Sequence, residues 1–592
     1  MTQFEVPVLV IGGGGCGLVS SIFLSDLGVE HLLVERHEGT SHLPKAHYLN
    51  QRTMEIFRQH GLAESVYAVG VPIEKMAKVR WRTSLGGHGP LDQKTIFEMD
   101  SFGGGALRER YRADSPCDAC NYPQLRLEPL LRKHAEERGP GRVLFHHEVL
   151  DWEQTAGGVV ASVRNVGTGQ IHSVKARYVI AADGGKTVGP KLEIPMIGPT
   201  NMADFVTTHF SADLSAYWDD QCLITWFLNP EGGSSWGAGA MVQMGPTWGR
   251  HSEEWVLHFG FRPDDPARFD DDTLVPRIRQ LLRLPDLEPV VHKVSHWILD
   301  RVVADRWRAG DIFLVGDAAH RQPPTTGLGL NTGIADAHNL AWKLAAVTSG
   351  RAGPALLDSY QPERKSAATY GADWALLSFL NRGVIDAGIG LLPGVPVEVN
   401  VGAFHALFAE NQMGRALRSR AAEAFWTQRR EFQAHDIELG YVYDSDAVAP
   451  DGTPPIPRSE DGTLYTPSTR PGHRLPHAWL ERDGKPISTH DLVSPDGTLL
   501  LMTGAKGETW RAAAAQVAET LRIPVRVAEV GGRGEYTDPS GSWARVRGIR
   551  EDGALLVRPD QHVGWLSGGP MGSSEKALSE ALRRVLGRPV GS

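Results

Sequence analysis

The chain has 592 residues, a formal net charge of -9 and a predicted pI of about 6.2. Its 41% apolar and 22% charged residues make an ordinary soluble composition of about three or four domains. With no Lys/Arg block and no apolar run near the ~20 residues of a bilayer span, it predicts neither a nucleic-acid surface nor a membrane protein.

The first apolar run, Val8 to Ile11, predicts a strand. It enters Gly12 to Gly17, which satisfies GxGxxG through Gly12, Gly14 and Gly17. An apolar helix is predicted from Leu18 to Leu27. A second strand, His31 to Val34, ends in Glu35 and Arg36. Strand, glycines, helix, strand and acid in that order predict dinucleotide binding. The glycines allow a tight turn and close approach of a pyrophosphate to the helix N-terminus, and Glu35 is placed for the adenosine ribose. Because the chain enters this strand almost at once, no signal peptide is expected.

Further along, Asn50 to Leu62 and Leu125 to Glu137 read as helices. Val143–Val149, Val159–Val166 and Tyr178–Ala182 read as strands, the last ending in Asp183 and Gly184. From about Lys191 to Ile298, alternating apolar patterns with Trp226, Phe227, Trp255, Phe259 and Phe261 predict an antiparallel sheet over a pocket. The chain returns through an apolar strand, Ile312 to Val315, that ends in Gly316 and Asp317. A Pro/Gly loop with Pro324, Gly327 and Gly329 follows, and a helix opens near Asn331. Asp317 is placed to accept hydrogen bonds from a hydroxyl-bearing chain. The helix start offers free N–H groups and a positive dipole end, which suits a flavin.

Beyond Tyr360 the pattern is helical to about Glu438. Asp444 to Pro476 reads as a linker. From Trp479 the strands Leu499–Met502, Val525–Val530 and Ala554–Val557 and the helices Thr509–Leu521 and Ser574–Leu586 predict a separate α/β module. Four cysteines favour a reducing cytoplasm. Cys117 and Cys120 form a CxxC in a polar loop and read as structural thiols. His146, His147 and His320 complete no metal set, and no metal is expected.

In this order the elements resemble the single-component FAD-dependent aromatic hydroxylases, the class A flavoprotein monooxygenases. The resemblance rests on GxGxxG, on Asp183-Gly184 and Gly316-Asp317, and on the stretches Pro44–Glu55, Pro123–Pro129 and His320–Asn331. It is strongest to the phenol hydroxylase branch of dichlorophenol monooxygenase type and covers nearly the whole chain. It implies an α/β fold: a Rossmann-like FAD-binding domain (1–190 plus 299–365), an inserted antiparallel-sheet substrate domain (191–298), a helical segment (366–443), a linker (444–478) and a C-terminal thioredoxin-like domain (479–592). The tail has no CxxC, so no thiol redox work is implied. With no fingerprint beyond Trp479, removal of the tail is expected to leave FAD binding largely intact.

The resemblance further implies roles. Arg52 and Gln124 match positions that hold the FAD phosphates and ribityl region, Glu35 the adenosine ribose ligand, and Asp317 the ribityl ligand. Gly329, Leu330 and Asn331 match the seat of the flavin's pyrimidine edge. The family's Pro-Arg-Ala is here Pro44-Lys45-Ala46, which keeps charge but loses the planar fork. Pro190 stands where many members carry an Arg after the Asp-Gly element, so NADPH and NADH both stay open as co-substrate. The implied activity is hydroxylation of a phenolic substrate with NAD(P)H and O2 through a flavin hydroperoxide. Attack by the ring is faster from phenolate, and an unaided phenol with pKa near ~10 is barely ionised at neutral pH. His47, five residues before Arg52 where phenol hydroxylases carry an Asp, is the expected base. Two alternatives remain: Baeyer–Villiger or epoxidation chemistry on a polycyclic natural product, and a non-catalytic flavin-binding regulatory protein. A halogenase is disfavoured because its Trp-x-Trp-x-Ile signature is missing. The expected partners are a small aromatic molecule and O2, with a homodimer or higher homo-oligomer as the assembly.

Overall fold

The computed structural model describes residues 3–261, 271–532, 534–569 and 572–589. The central parallel sheet is built from the predicted apolar runs. Gln3–Ile11 lies between Ile171–Ala181 and His31–Glu35, with Ile312–Leu314 beyond the former and Val143–Phe145 beyond the latter. These strands are Val/Ile/Leu runs because the sheet lies inside the buried core. The register pairs Ile11 with both Ala181 and Val34, and Ala181 with Leu314. The carboxyl ends of four strands are therefore level, and the loops that leave them meet. The helices Gly15–Asp26, Gln124–Arg138 and Leu328–Thr348 pack together against this sheet. The last begins at Leu328, three residues before the expected start. Thr326 and Gly327, at φ +70° and +67°, turn the chain into it that early.

The second layer is a seven-stranded sheet in the order 290–299, 203–211, 254–261, 240–245, 222–227, 78–82, 95–100. The expected boundaries, 191–298, are thus too narrow. Lys78–Arg82 joins parallel to Cys222–Phe227, and Thr95–Asp100 closes the edge. Lys78–Arg82 alternates half-buried and buried residues, a strand pattern overlooked because it lies inside the nucleotide-binding half of the chain. The helix Leu274–Leu282 covers one face, where Ile278, Leu281 and Leu282 pack on Phe210, Trp255, Leu257 and Phe259. The other face looks toward the FAD-type layer.

The segment 444–478 is not a free linker. It lacks regular elements, yet Ala447, Leu475 and Arg474 are buried. The C-terminal module orders its strands as Val525–Glu529, Leu499–Thr503, Ala554–Val557, Val563–Ser567. The first pair is parallel and the others antiparallel, with helices Glu508–Leu521 and Ser574–Val585. Its core continues into Trp342 and Ala346 of the helix Leu328–Thr348. A buried charge network adds to the contact. Arg558 donates to both oxygens of Glu363, which also accepts from Lys343, and Arg558 pairs with Asp560. Glu55 is held by Arg474, whose guanidinium keeps that buried carboxyl well below the usual carboxylate range. No helix among the described residues is long and apolar enough to cross a membrane.

Candidate active site

The level strand ends bring the three fingerprints together. At Gly12, φ +108°, a Cβ would lie 2.3 Å from the carbonyl oxygen of Ala182. At Gly17 it would lie 1.9 Å from that of Gly12. Only glycine permits this turn, which butts the first loop against the Asp-Gly element. A Cβ on Gly185 would meet the Asp317 backbone at 3.1 Å, and one on Gly316 or Gly333 would meet Cys16 Sγ. Burial, then the Asp317 charge, pushes the Cys16 thiol up, so the carboxylate stands close to the glycine loop. Asp317 itself is exposed at the strand end, as a hydroxyl-chain ligand must be. Asp336, not anticipated from the sequence, fixes this turn from beneath. It accepts from the Gly316 amide, from His320 Nε2 and from Arg364 Nε.

The glycine loop is held by two carboxylates. Glu35 accepts from the Gly13 amide at 2.7 Å. Glu128, also unforeseen, accepts from the amides of Gly15 and Ser41 and from Gln124 Nε2. Arg36 is exposed beside Glu35. Pro324, Gly327, Gly329 and Leu330 line the start of the helix Leu328–Thr348. A Cβ on Gly329 or Gly184 would meet nothing within 4 Å, while one on Gly15 would meet Leu330 Cδ1 at 2.9 Å. Two helix N-termini, an exposed strand-end carboxylate and open space over Gly184 and Gly329 fit an FAD molecule: pyrophosphate at the glycine loop, ribityl hydroxyls at Asp317, electron-rich ring edge at residues 329–331.

Two expected ligands are engaged elsewhere. The Arg52 guanidinium is 3% exposed and donates to Glu55, Gln561 Oε1, the Asp560 carbonyl and Tyr441 Oη. It ties the helix Gln51–Gln59 to the C-terminal module and, contrary to the expectation from sequence, is not free to hold the FAD phosphates. The cation exposed in this segment is Lys45. Asp183 caps its own turn, accepting from the amides of Gly185, Thr187 and Val188. It shapes the Asp-Gly element with its side chain instead of offering that side chain to a ligand. Cys117 and Cys120 are buried, and burial raises both thiols, Cys120 to about 12, so they are protonated and inert at neutral pH.

His47 sits in the turn that leads to Asn50, the cap of the helix Gln51–Gln59. Its Nδ1 lies 2.5 Å from Asn121 Oδ1. An amide oxygen only accepts, so Nδ1 carries the proton and Nε2 keeps its lone pair. Burial lowers the His47 pKa and favours this neutral form. Beneath the turn, Tyr48 Oη donates to Glu438 Oε1, whose carboxyl burial pushes up to about 8.

Across from His47 lies the substrate sheet. Trp81, Trp226, Ala240, His258, Thr207 and Ser295 are successive cross-strand partners and share one face. His258 Nδ1 lies 2.8 Å from Thr207 Oγ1, which accepts from Trp297 Nε1. The Thr207 hydroxyl hydrogen is free to donate to His258 Nδ1, an arrangement that puts the His258 proton on Nε2. Burial, with the nearby His47 charge, lowers His258 to about 3. In that tautomer the two neutral imidazoles are of opposite sense, an acceptor at His47 and a donor at His258. Around them Phe205 stacks on Trp297 at 4.7 Å, and Trp236 stands edge-on to Phe205 and Trp226. His258 was missed in the sequence because only cross-strand pairing places it opposite His47; its alternation within Glu254–Phe261 was the available signal.

Comparison with known proteins finds relatives along the whole chain. Residues 5–375 match the FAD binding domain family, and residues 468–589 match the C-terminal domain of aromatic-ring hydroxylases. The chain is 34% identical to a 2,4-dichlorophenol 6-monooxygenase of Delftia acidovorans, over 99% of both chains. It is also 34% identical to a tetracenomycin A2 monooxygenase-dioxygenase of Streptomyces glaucescens, over 100% of this chain and 99% of the other. Among solved structures, the flavin-dependent monooxygenase PieE in complex with FAD and substrate is 37% identical with a TM-score of 0.91, over 100% of both chains.

Proposed function

The chain belongs to the FAD-binding aromatic-ring hydroxylases, and we propose that within this family it hydroxylates a phenolic ring held between His47 and His258. It is an FAD-dependent monooxygenase. The family reaction takes an aromatic C–H, O2, NAD(P)H and a proton to the hydroxylated ring, water and NAD(P)+. FAD, when bound, supplies the activated oxygen.

The observation that carries the reading is the opposed hydrogen-bonding sense of the two imidazoles. A phenol hydroxyl donates to His47 Nε2 and accepts from His258 Nε2–H. As the ring's electrons move toward oxygen transfer, His47 takes the proton and the His258 N–H holds the developing quinonoid oxygen. Low basicity at His258 keeps that donor in place across the working pH range. The aromatic floor of Phe205, Trp297, Trp236 and Trp226 excludes water and orients the ring plane. Gly12, Gly14, Gly17 and Glu35 serve the adenosine and pyrophosphate end of FAD, with Lys45 as cation in place of Arg52. Asp317 serves the ribityl chain, and Gly329, Leu330 and Asn331 the ring edge, with Gln124 and Glu128 bracing the loop. The breadth of the aromatic floor also supports a fused-ring substrate, in keeping with the name of the tetracenomycin relative. The order of the C-terminal module, a parallel βαβ pair extended by an antiparallel hairpin and a helix, supports a thioredoxin-like reading. The test is phenol-stimulated NADPH and NADH oxidation over a panel of one- to four-ring phenols, with mass analysis for one added oxygen. If no phenol stimulates oxidation, the reading fails.

A further inference from the structure

Arg382 opens the helix Arg382–Ile389 with its side chain fully buried. Its guanidinium lies 3.8 Å from the centroid of the Trp226 ring, with Phe432 and Trp236 at 5.5 and 5.6 Å. Nη2 donates to Glu431 Oε2 at 2.5 Å. Among the described residues, Arg382 Nε and Nη1 have no acceptor, and Trp226 Nε1, on the ring beneath, has none either. Three nitrogens with unpaired N–H groups at one buried spot are costly. As a packing device the pair has no advantage, since apolar residues of the same volume serve as well or better. Trp226 shares its face and row with His258, two strands away, a separation of about 10 Å.

We infer that Arg382 and Trp226 form an acceptor-oxygen subsite that binds a carbonyl oxygen on the far ring of a fused-ring phenol. This rests on the reading of His47 and His258 as the hydroxyl end of the site. The spacing of the two ends matches about two fused rings, and Trp226 and Trp236 flank the path between them. The oxygen is a neutral carbonyl and not a carboxylate. Glu431 already balances the Arg382 charge, so a second anion would stand uncompensated in a buried site. Arg382 is thus a specificity residue, selecting keto-bearing polycyclic phenols over simple ones.

The test uses the FAD-loaded enzyme and three probes: 2-naphthol, 6-acetyl-2-naphthol and 6-hydroxy-2-naphthoic acid. Binding is read from the perturbation of flavin absorbance. Wild type should bind the acetyl compound ~10- to 100-fold more tightly than 2-naphthol, and the carboxylate no more tightly than 2-naphthol. Arg382→Met combined with Glu431→Gln removes both charges at similar volume and should collapse the preference to about twofold. Arg382→Lys keeps the ion pair but not the fork, and should give an intermediate preference if the double variant fails to fold. Equal or undetectable binding of the two naphthols by wild type overturns the inference, as does a preference that survives both variants. Failure of the phenol reading would show separately, as absence of naphthol-stimulated NADPH oxidation whatever the binding preference.

Discussion

The side-chain amide of Asn331 donates to the carbonyl of Tyr48 at 2.9 Å, joining the first turn of the helix Leu328–Thr348 to the turn that carries His47. The same amide donates to the Gly327 carbonyl, and its oxygen accepts from the Asn50 amide and Thr53 Oγ1. One buried side chain thereby fixes the helix start and the His47 turn relative to each other. On the proposed mechanism this link sets the reaction geometry, since a base must sit within hydrogen-bond reach of the proton it takes.

His47→Ala should slow oxygen transfer by ~100- to 10,000-fold with FAD content unchanged. The defect should shrink as pH rises toward the phenol's own pKa, where solvent supplies phenolate. Because burial lowers the His47 pKa, the wild-type acid limb of kcat/KM should lie below pH ~6.5, and activity is lost as pH falls through it. A pH-independent defect in single-turnover hydroxylation would mark His47 as a positioning residue.

His258→Phe keeps a ring but removes the donor. Turnover should fall by about 100-fold, the cost of one donor to a developing oxyanion. Unlike the His47 defect, this one should persist at high pH, since phenolate needs the donor most. Wild-type rates in stopped-flow hydroxylation would remove His258 from the mechanism.

Asp317→Ala should weaken FAD binding by ~10- to 100-fold if the strand-end carboxylate accepts from the ribityl hydroxyls as proposed. Full FAD occupancy after dilution and gel filtration would refute that role.

Removal of residues 479–592 should not leave an FAD-loaded core, contrary to the sequence-based expectation. It would strip the buried Glu363 of Arg558, and Arg52 of Gln561 and Asp560. Arg558→Ala alone should destabilise by ~3–5 kcal/mol, the cost of breaking a buried pair from one side. A soluble, yellow, monodisperse truncation product would show the network to be dispensable.

Thermal stability should fall between pH ~6.5 and 4. Burial lowers His258, His477 and His562 to about 3 and His490 to about 4. Each is neutral in the fold but takes a proton when unfolded below pH ~6.5, so stability drops by about 1.4 kcal/mol per pH unit for each. Glu438 and Asp386, raised to about 8 and about 6, act in the opposite direction over part of that range. Four histidines outweigh two carboxyls. A Tm that holds or rises from pH 7 to 5 would contradict this balance.

The sequence by itself determined the nucleotide-binding framework. The apolar runs ending in Gly12, Glu35, Asp183 and Asp317 specify parallel strands, and in a parallel sheet strand ends of matched register meet at one edge. Glycine positions with positive φ were legible because backbone sterics are local. His47 was singled out through the family resemblance, by its place five residues before Arg52. Tertiary structure decided what depends on partners far away in the chain. Arg52 looked like a phosphate ligand until the fold placed Asp560 and Gln561 against it. The tail looked detachable until buried Glu363 met Arg558, and residues 78–100 read as part of the first domain until they paired with Cys222–Phe227. Arg382 carries no local signature, and His258 none beyond its alternation within Glu254–Phe261. Their roles arise from cross-strand register and from burial without enough partners, and neither quantity exists before the chain is folded.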